Sequence, residues 1–482
     1  MRILLLTAVL TFTLGAPIAS AGTGIAWHGC TTATGDELGA ALDQAGAQCG
    51  EITVPVDYAR PRGRTITVAL ARVRATDPAH RRGVLMLNPG GPGGAAMPLV
   101  LLGPRMPAVA AQYDLVGLDP RFVGRSSPIE CRWTTDTFVR SAGPDRRTFD
   151  EGVGLARTLA DGCAQGHEAL LPHASTRNTA RDMDRVRQAL GERRVSYLGY
   201  SYGTYLGAVY LQMFGANADR FVLDSAVDPA VYGPGLLSRS APAIQAAFEH
   251  WAGWAAQHDG DYGLGSTKEA VLSTVDSLRP PLHTGRFVVD EHVLPYLIFL
   301  HLYDDSPETY GLLAEHLKRL RTAAEPTPEL EQILAGILTG AGDGSDRAGT
   351  PVVCADRAVS HDPQAYFQDI QAHRRDEPLF GPMTRNITPC AFWPVQPAEP
   401  TTTVRNDRPV LIVGADGDPA TPYAGQLAMH RALHGSRLVT LHGRYAHTNY
   451  LVAGNPCVDG TVEAYLTGGR LPARDLGCTM GT

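Results

Sequence analysis

Residues 199–203 read Gly-Tyr-Ser-Tyr-Gly, a serine with a glycine two positions away on either side. In a G-x-S-x-G pattern the glycines leave room for a sharp turn that lifts the serine hydroxyl clear of a sheet, ready to attack a carbonyl carbon. The backbone N–H of the following residue, Tyr202, then points at the oxygen on which negative charge develops. Such a serine needs a base, and the base needs a carboxylate to fix its tautomer. When the serine sits on a strand–turn–helix, its partners follow in the order Ser, Asp/Glu, His. Residues 414–422, GADGDPATP, offer two acids. Asp418, directly before Pro419 and farther from the strand, is the expected acid; Asp416 reads as a turn former, and Asp224 is a weaker alternative. With 16 histidines in the chain, proximity alone is poor evidence. His442 abuts the strand before it and is expected to pack or cap. His447 lies in the loop beyond and is the expected base, taking the Ser201 proton and handing it to the leaving group.

A second donor to the developing oxyanion is expected from Asn88-Pro89-Gly90-Gly91-Pro92-Gly93-Gly94. Glycine lets the backbone approach substrate closely and proline stiffens it, so that an N–H stays aimed. Gly91 is the first choice and Gly90 the second. A phosphate-binding loop would need a Gly-Lys-Ser/Thr ending, and no lysine occurs here. No ligand set for a metal stands out, and no cofactor is called for.

These residues require a scaffold that brings distant loops together. Residues 51–58 and 65–73 alternate apolar and polar around the turn-rich 60–63 and predict a hairpin. Short apolar runs at 84–87, 113–118, 195–198, 221–227, 410–413 and 438–441 predict further strands. Residues 179–190 and 202–214 predict helices between them. Strands alternating with helices imply an α/β fold, a mostly parallel sheet covered by helices. Between about 231 and 400 strand signals fade and helical patterns such as 244–254 and 310–320 take over. The expected organisation is a signal peptide at 1–21, a hydrolase domain over 22–230, a mainly helical cap at 231–399 inserted before the last two strands, and a C-terminal part of the hydrolase domain at 400–482.

Of the 482 residues 44% are hydrophobic and 19% charged, which fits a packed globular chain rather than a disordered one. The net charge of −7 with no basic stripe argues against nucleic acid as a partner. Residues 1–21 read as an export signal: Arg2, an apolar run over 3–16, and Ala19-Ser20-Ala21 as the site cut after Ala21. The run of about 14 residues is shorter than the roughly 20 that span a bilayer, so no stable membrane association is expected. A secreted monomer acting on a peptide or small-molecule substrate is the expectation. The 8 cysteines, Cys30, Cys49, Cys131, Cys163, Cys354, Cys390, Cys457 and Cys478, fit an oxidising compartment and no zinc spacing. Pairing of sequence neighbours is the economical expectation, each pair closing a loop of about 20–35 residues worth roughly 3–4 kcal/mol by the entropic argument.

The chain resembles the secreted tripeptidyl aminopeptidase family of the α/β-hydrolase superfamily, serine peptidases related to proline iminopeptidases. The matching stretches are NPGGPGG at 88–94, YDLVGLDPRFVGRS at 113–126, GYSYGTYLG at 199–207, Cys354-Ala355-Asp356, PCAFWPV at 389–395 and GDPATP at 417–422. The resemblance implies an α/β-hydrolase fold, a triad at Ser201, Asp418 and His447, and release of short peptides from free N-termini under a cap that limits the chain ahead of the cut. It also makes Asp356 the candidate to hold the substrate ammonium, and Asp119 with Arg121 a structural pair under the site. Trp251, Trp254 and Trp393 are expected in the core. Three positions depart from the family pattern: Ala95-Ala96 for a serine and glycine, Phe122 for a glycine, and Thr448-Asn449 after the histidine for a glycine. An esterase or amidase acting on a small non-peptide substrate would use the same triad, and a catalytically dead binding scaffold is the reading from another class.

Overall fold

The structure, a computed structural model, describes residues 24–342 and 344–480. The export segment expected at 1–21 lies outside the described residues. Among the described residues no helix is long and apolar enough to cross a membrane.

Strands β1 (Gln48–Pro55) and β2 (Thr65–Val73) pair antiparallel, Gln48 opposite Arg72 through to Pro55 opposite Thr65. Four more follow: β3 (Gly83–Asn88), β4 (Tyr113–Leu118), β5 (Val195–Tyr200) and β6 (Ala218–Asp224). Every residue of β3, β4 and β5 is buried, as strands covered on both faces require. A small hairpin, β7 (Leu282–Thr284) with β8 (Phe287–Val289), stands apart, and β9 (Val410–Ala415), β10 (Ser436–His442) and β11 (Leu476–Thr479) return to the main sheet. The order is β1-β2-β4-β3-β5-β6-β9-β10-β11, parallel from β4 onward. This is the α/β-hydrolase arrangement. The helical insertion thus precedes three strands rather than two. The extra one, Leu-Gly-Cys-Thr at the sheet edge, is too short to show an alternating pattern; its Cys478 is bonded to Cys457.

Register levels the strand ends. Asn88 lies opposite Gly199, Tyr200 opposite Asp224, Asp224 opposite Val413 and Ala415 opposite Leu441. The loops after β3, β5, β6, β9 and β10 therefore emerge along one edge, the carboxyl edge where open parallel sheets bind ligands. Beneath it, Arg121 pairs with Asp182 at 2.7 Å, both fully buried, and also donates to the carbonyls of Val56 and His173. The expected Asp119–Arg121 pair is not formed. Asp119 instead accepts the N–H groups of Ala96, Met97 and Arg125 at 2.8–3.0 Å, so each residue satisfies groups that burial would otherwise leave bare.

Helices Ala241–Gln257, Leu294–His301, Pro307–Thr322, Pro328–Thr339 and Ser345–Asp356 carry most of the insertion. They enclose a core of their own, with Phe248, Trp251, Leu297, Leu313 and Leu334 at its centre. The Trp251 indole donates to the Tyr310 carbonyl at 3.1 Å, a core role. The insertion is fastened to the histidine loop: the Tyr303 carbonyl accepts from His447 N–H at 2.9 Å, and Asp305 accepts from Tyr445 N–H at 2.8 Å and Arg444 Nη1 at 3.1 Å. Helix Ser345–Asp356 packs so closely on residues 92–93 that a side chain on Gly349 would strike the Pro92 carbonyl.

The disulfides join sequence neighbours, Cys30–Cys49, Cys131–Cys163, Cys354–Cys390 and Cys457–Cys478. Cys354–Cys390, with a separation of 36 residues, ties the helix against the oxyanion loop to the chain that returns to β9. Replacing both by alanine is expected to lower stability by about 3–4 kcal/mol, read as a fall of the denaturant midpoint.

Candidate active site

Ser201 follows β5 directly, with φ +54° and ψ −125°, a strained conformation for a residue with a side chain. Its surroundings enforce it. Ser201 N–H donates to the Asp224 carbonyl at 2.9 Å, and its own carbonyl accepts from Thr204 N–H and Oγ1 at 2.9 and 2.6 Å. A Cβ on Gly199 would lie 2.6 Å from the Gly203 carbonyl, and one on Gly203 would lie 2.7 Å from Asn88 Oδ1. Both glycines of the motif are thus needed for close approach.

Gly90 sits on this turn: a Cβ there would lie 2.8 Å from Ser201 Cβ and 3.2 Å from Tyr202 N. Gly90 and Gly91 both have φ near +100°, and Asn88 Oδ1 holds the Gly90 N–H at 3.0 Å. That bond commits Gly90 to the loop itself. Gly91 and Tyr202 donate their N–H groups to no protein acceptor among the described residues, as oxyanion donors must be.

His447 and Asp418 meet. The ring Nδ1 lies 3.0 and 3.1 Å from the two carboxylate oxygens, and both side chains are buried. Asp418 also accepts from Ala420 N–H, Thr421 N–H and Thr421 Oγ1, each at 2.9 Å, which fixes the carboxylate. Burial pushes the His447 imidazole down, but the Asp418 charge and hydrogen bond, with the Asp224 charge behind, hold it above its usual value. Such an arrangement leaves Nε2 available to receive a proton and stabilises the imidazolium that results.

Asp224 carries no bond to His447. Its carboxylate accepts from Asn449 N–H at 2.9 Å, Asn449 Nδ2 at 3.0 Å and Tyr450 N–H at 2.7 Å, while Ser225 Oγ accepts from Thr448 N–H at 2.9 Å. The end of β6 therefore grips the serine turn and the histidine loop together. Asp416 and His442 pair with each other at 3.0 Å on the surface. His442 is exposed rather than packed, because β10 ends with it and Asp416 N–H and side chain hold the turn outside the sheet.

Asp356 stands apart from this group. Buried, it accepts from Thr176 N–H at 2.7 Å and Thr176 Oγ1 at 2.5 Å. It thus serves the first turn of helix Thr176–Ala189, where a negative charge is favoured. Burial, opposed by the Thr176 hydrogen bonds, raises its carboxyl to about 7. It borders a small space beside Ser175, Tyr205 and Glu399. A much larger cavity, about 930 Å³ with its mouth, begins at Gly91 and Pro92 and runs under the insertion. Asp346 is the carboxylate among its lining residues. Nothing local in the sequence marks Asp346; only the packing of its helix against the oxyanion loop places it. Tyr303 borders the same cavity, its ring edge-on to His447 at 5.3 Å between centroids.

Residues 83–290 match the family described as alpha/beta hydrolase fold, and residues 377–478 the one described as TAP-like protein. The tripeptidyl aminopeptidase of Streptomyces lividans is 35% identical over 459 residues, 89% of this chain and 83% of that one. The chain belongs to the tripeptidyl aminopeptidase family of α/β-hydrolases. It is a serine hydrolase by that membership. Serine protease Hip1 of Mycobacterium tuberculosis is 32% identical over 461 residues, 90% of this chain and 87% of that one. Carboxylesterase B of the same organism is 33% identical over 471 residues, 90% and 86% of the two chains.

Two of the three departures from the family pattern fall at left-handed positions. Phe122 has φ +67° and Thr448 φ +68°, where glycine is free and a branched or bulky residue is strained by about 1–2 kcal/mol. Phe122 offsets this by full burial and a hydrogen bond from its N–H to Ser126 O; Thr448 does so through Ser225. At the third, Ala96 has φ −100° and needs no glycine.

Asp418→Asn is expected to lower kcat by on the order of 10³–10⁴-fold, as loss of the orienting carboxylate does in other triads. The base must be neutral to work, and Asp418 favours its charged form. The acid limb of kcat/KM should therefore lie above the ordinary histidine value in the wild type and move to lower pH in Asp418→Asn, read from a pH–rate profile.

Proposed function

We propose that the protein is a secreted exopeptidase that releases short peptides, of three residues by analogy with its named relatives, from free N-termini. Ser201 attacks the scissile carbonyl while His447 takes its proton, with Asp418 holding Nδ1–H. The N–H groups of Tyr202 and Gly91 receive the oxyanion, and His447 returns the proton to the departing amine. The acyl-enzyme on Ser201 is then opened by water activated at the same histidine. The helical insertion acts as the cap, and four disulfides suit an extracellular setting.

The observation that carries the exopeptidase reading is the cavity that starts at the oxyanion loop and holds one carboxylate, Asp346, in its wall. A peptide whose carbonyl reaches Gly91 would extend its N-terminal portion under the insertion, where Asp346 offers the ammonium a charged hydrogen bond worth about 1.5–3 kcal/mol. In this reading Asp346 takes the role first assigned to Asp356. An esterase is the second reading, favoured by the relative named carboxylesterase, since the same triad cleaves esters.

Tripeptide p-nitroanilides with free and acetylated N-termini, beside short p-nitrophenyl esters, separate the two. Cleavage of the free peptide over its acetylated twin is expected, with Ser201→Ala inactive but folded. Ester turnover with both peptides untouched would establish the esterase reading. Asp346→Asn is expected to lower kcat/KM for the free peptide roughly 10- to 100-fold, mainly through KM.

A further inference from the structure

The cavity wall also contains a cation. Arg140 is 7% exposed and lines the cavity. Its Nη2 donates to Thr135 Oγ1 at 2.9 Å and to the Ile337 carbonyl at 2.6 Å, which fixes the plane of the guanidinium. Its Nη1 is buried and has no hydrogen-bond partner. No carboxylate among the described residues forms an ion pair with it; Asp346, on the same cavity, is not its partner. Its neighbours in the wall are largely apolar, including Phe138, Val139, Tyr296 and Phe299. A guanidinium stays charged in any protein environment, so it cannot escape the burial penalty by losing its proton. Burial accordingly pulls the group down, opposed by the charges of Tyr296 and Asp290.

A buried charge without a counter-charge is a costly feature, and a fixed guanidinium in a cavity wall whose Nη1 has no acceptor is the form of a site that its ligand completes. We infer that Arg140 is a specificity residue that binds a carboxylate on the acyl portion of the substrate, an acidic side chain within the released peptide. The inference rests on the exopeptidase reading for the peptide and on the cavity alone for the carboxylate. Asp346 and Arg140 then face opposite charges of one ligand, the ammonium and the acidic side chain. A substrate with an apolar side chain there would leave the guanidinium buried and bare, so discrimination comes from the penalty as much as from the new bond.

The test compares acyl groups that differ only in the charge. One arm uses p-nitrophenyl esters, the monoester of glutaric acid against the pentanoate. The other uses free tripeptide anilides with Glu against Gln at each of the two positions ahead of the residue before the cut. The wild type should favour the carboxylate in kcat/KM by about tenfold or more, the usual scale of a charge-assisted pair. In Arg140→Gln that ratio should fall to about one or below, and Arg140→Lys, which keeps the charge, should retain part of it. Melting curves establish that each variant is folded, and Arg140→Lys guards against a loss of fold in the glutamine variant. Equal turnover of charged and neutral acyl groups by the wild type, or a preference that survives in Arg140→Gln, overturns the assignment. If the esters show the preference and no peptide is cleaved, Arg140 keeps its role and the exopeptidase reading falls.

Discussion

Asp224 is the residue on which the catalytic geometry hangs. It ends the central strand β6 fully buried, where its carboxylate must find donors or stay uncharged. It finds them in Asn449 and Tyr450, while its main-chain carbonyl holds Ser201 N–H and Ser225 N–H reaches the Val413 carbonyl of β9. The candidate nucleophile on one loop, the candidate base on a second and the candidate acid on a third are thereby referred to a single point of the sheet. Catalytic groups need to be placed to about half an ångström, which free loops cannot supply. Burial raises the Asp224 carboxyl and the Asn449 and Tyr450 donors draw it back, so the clasp draws its strength from the dry setting that makes it necessary.

Two aspartate–histidine pairs of nearly equal spacing lie in this part of the chain, and the structure distinguishes them by solvent. Asp416 and His442, with about a third and a half of their side chains exposed, form a screened surface pair of little energetic weight. Asp418 and His447 are buried, and there the carboxylate governs the imidazole. The same two types of residue, at separations of 26 and 29, are a turn ornament in one case and candidate machinery in the other.

What could be read from the sequence was local. The serine turn, the glycine-proline loop, the strand runs and the GADGDPATP stretch each occupy a few adjacent residues whose geometry follows from their types. Helix Tyr202–Phe214 could be placed to the residue because its first turn is set by the motif itself. Long-range packing was out of reach. Asp346 reaches the cavity on helix Ser345–Asp356 and Arg140 on irregular chain before helix Arg146–Ala164, and no periodicity reports where such segments dock. Asp356 shows a related limit: a carboxylate serving the start of a helix and one awaiting an ammonium look alike in a string of letters. The edge strand Leu476–Thr479 is shorter than any alternating pattern needs, and Asp119 and Arg121, adjacent around Pro120, turn out to face different tasks.

The attachment of the insertion to the histidine loop limits how such enzymes can diversify. Tyr303 and Asp305 contact the chain at His447, Tyr445 and Arg444, so the insertion that roofs the cavity also props the candidate base. Exchange of whole insertions between relatives would disturb proton transfer unless those contacts travelled with it. New substrate ranges are therefore more readily reached by point changes in the cavity wall than by wholesale replacement of the roof. Peptidase and esterase names among relatives of near-equal identity are the pattern that such gradual retuning would leave.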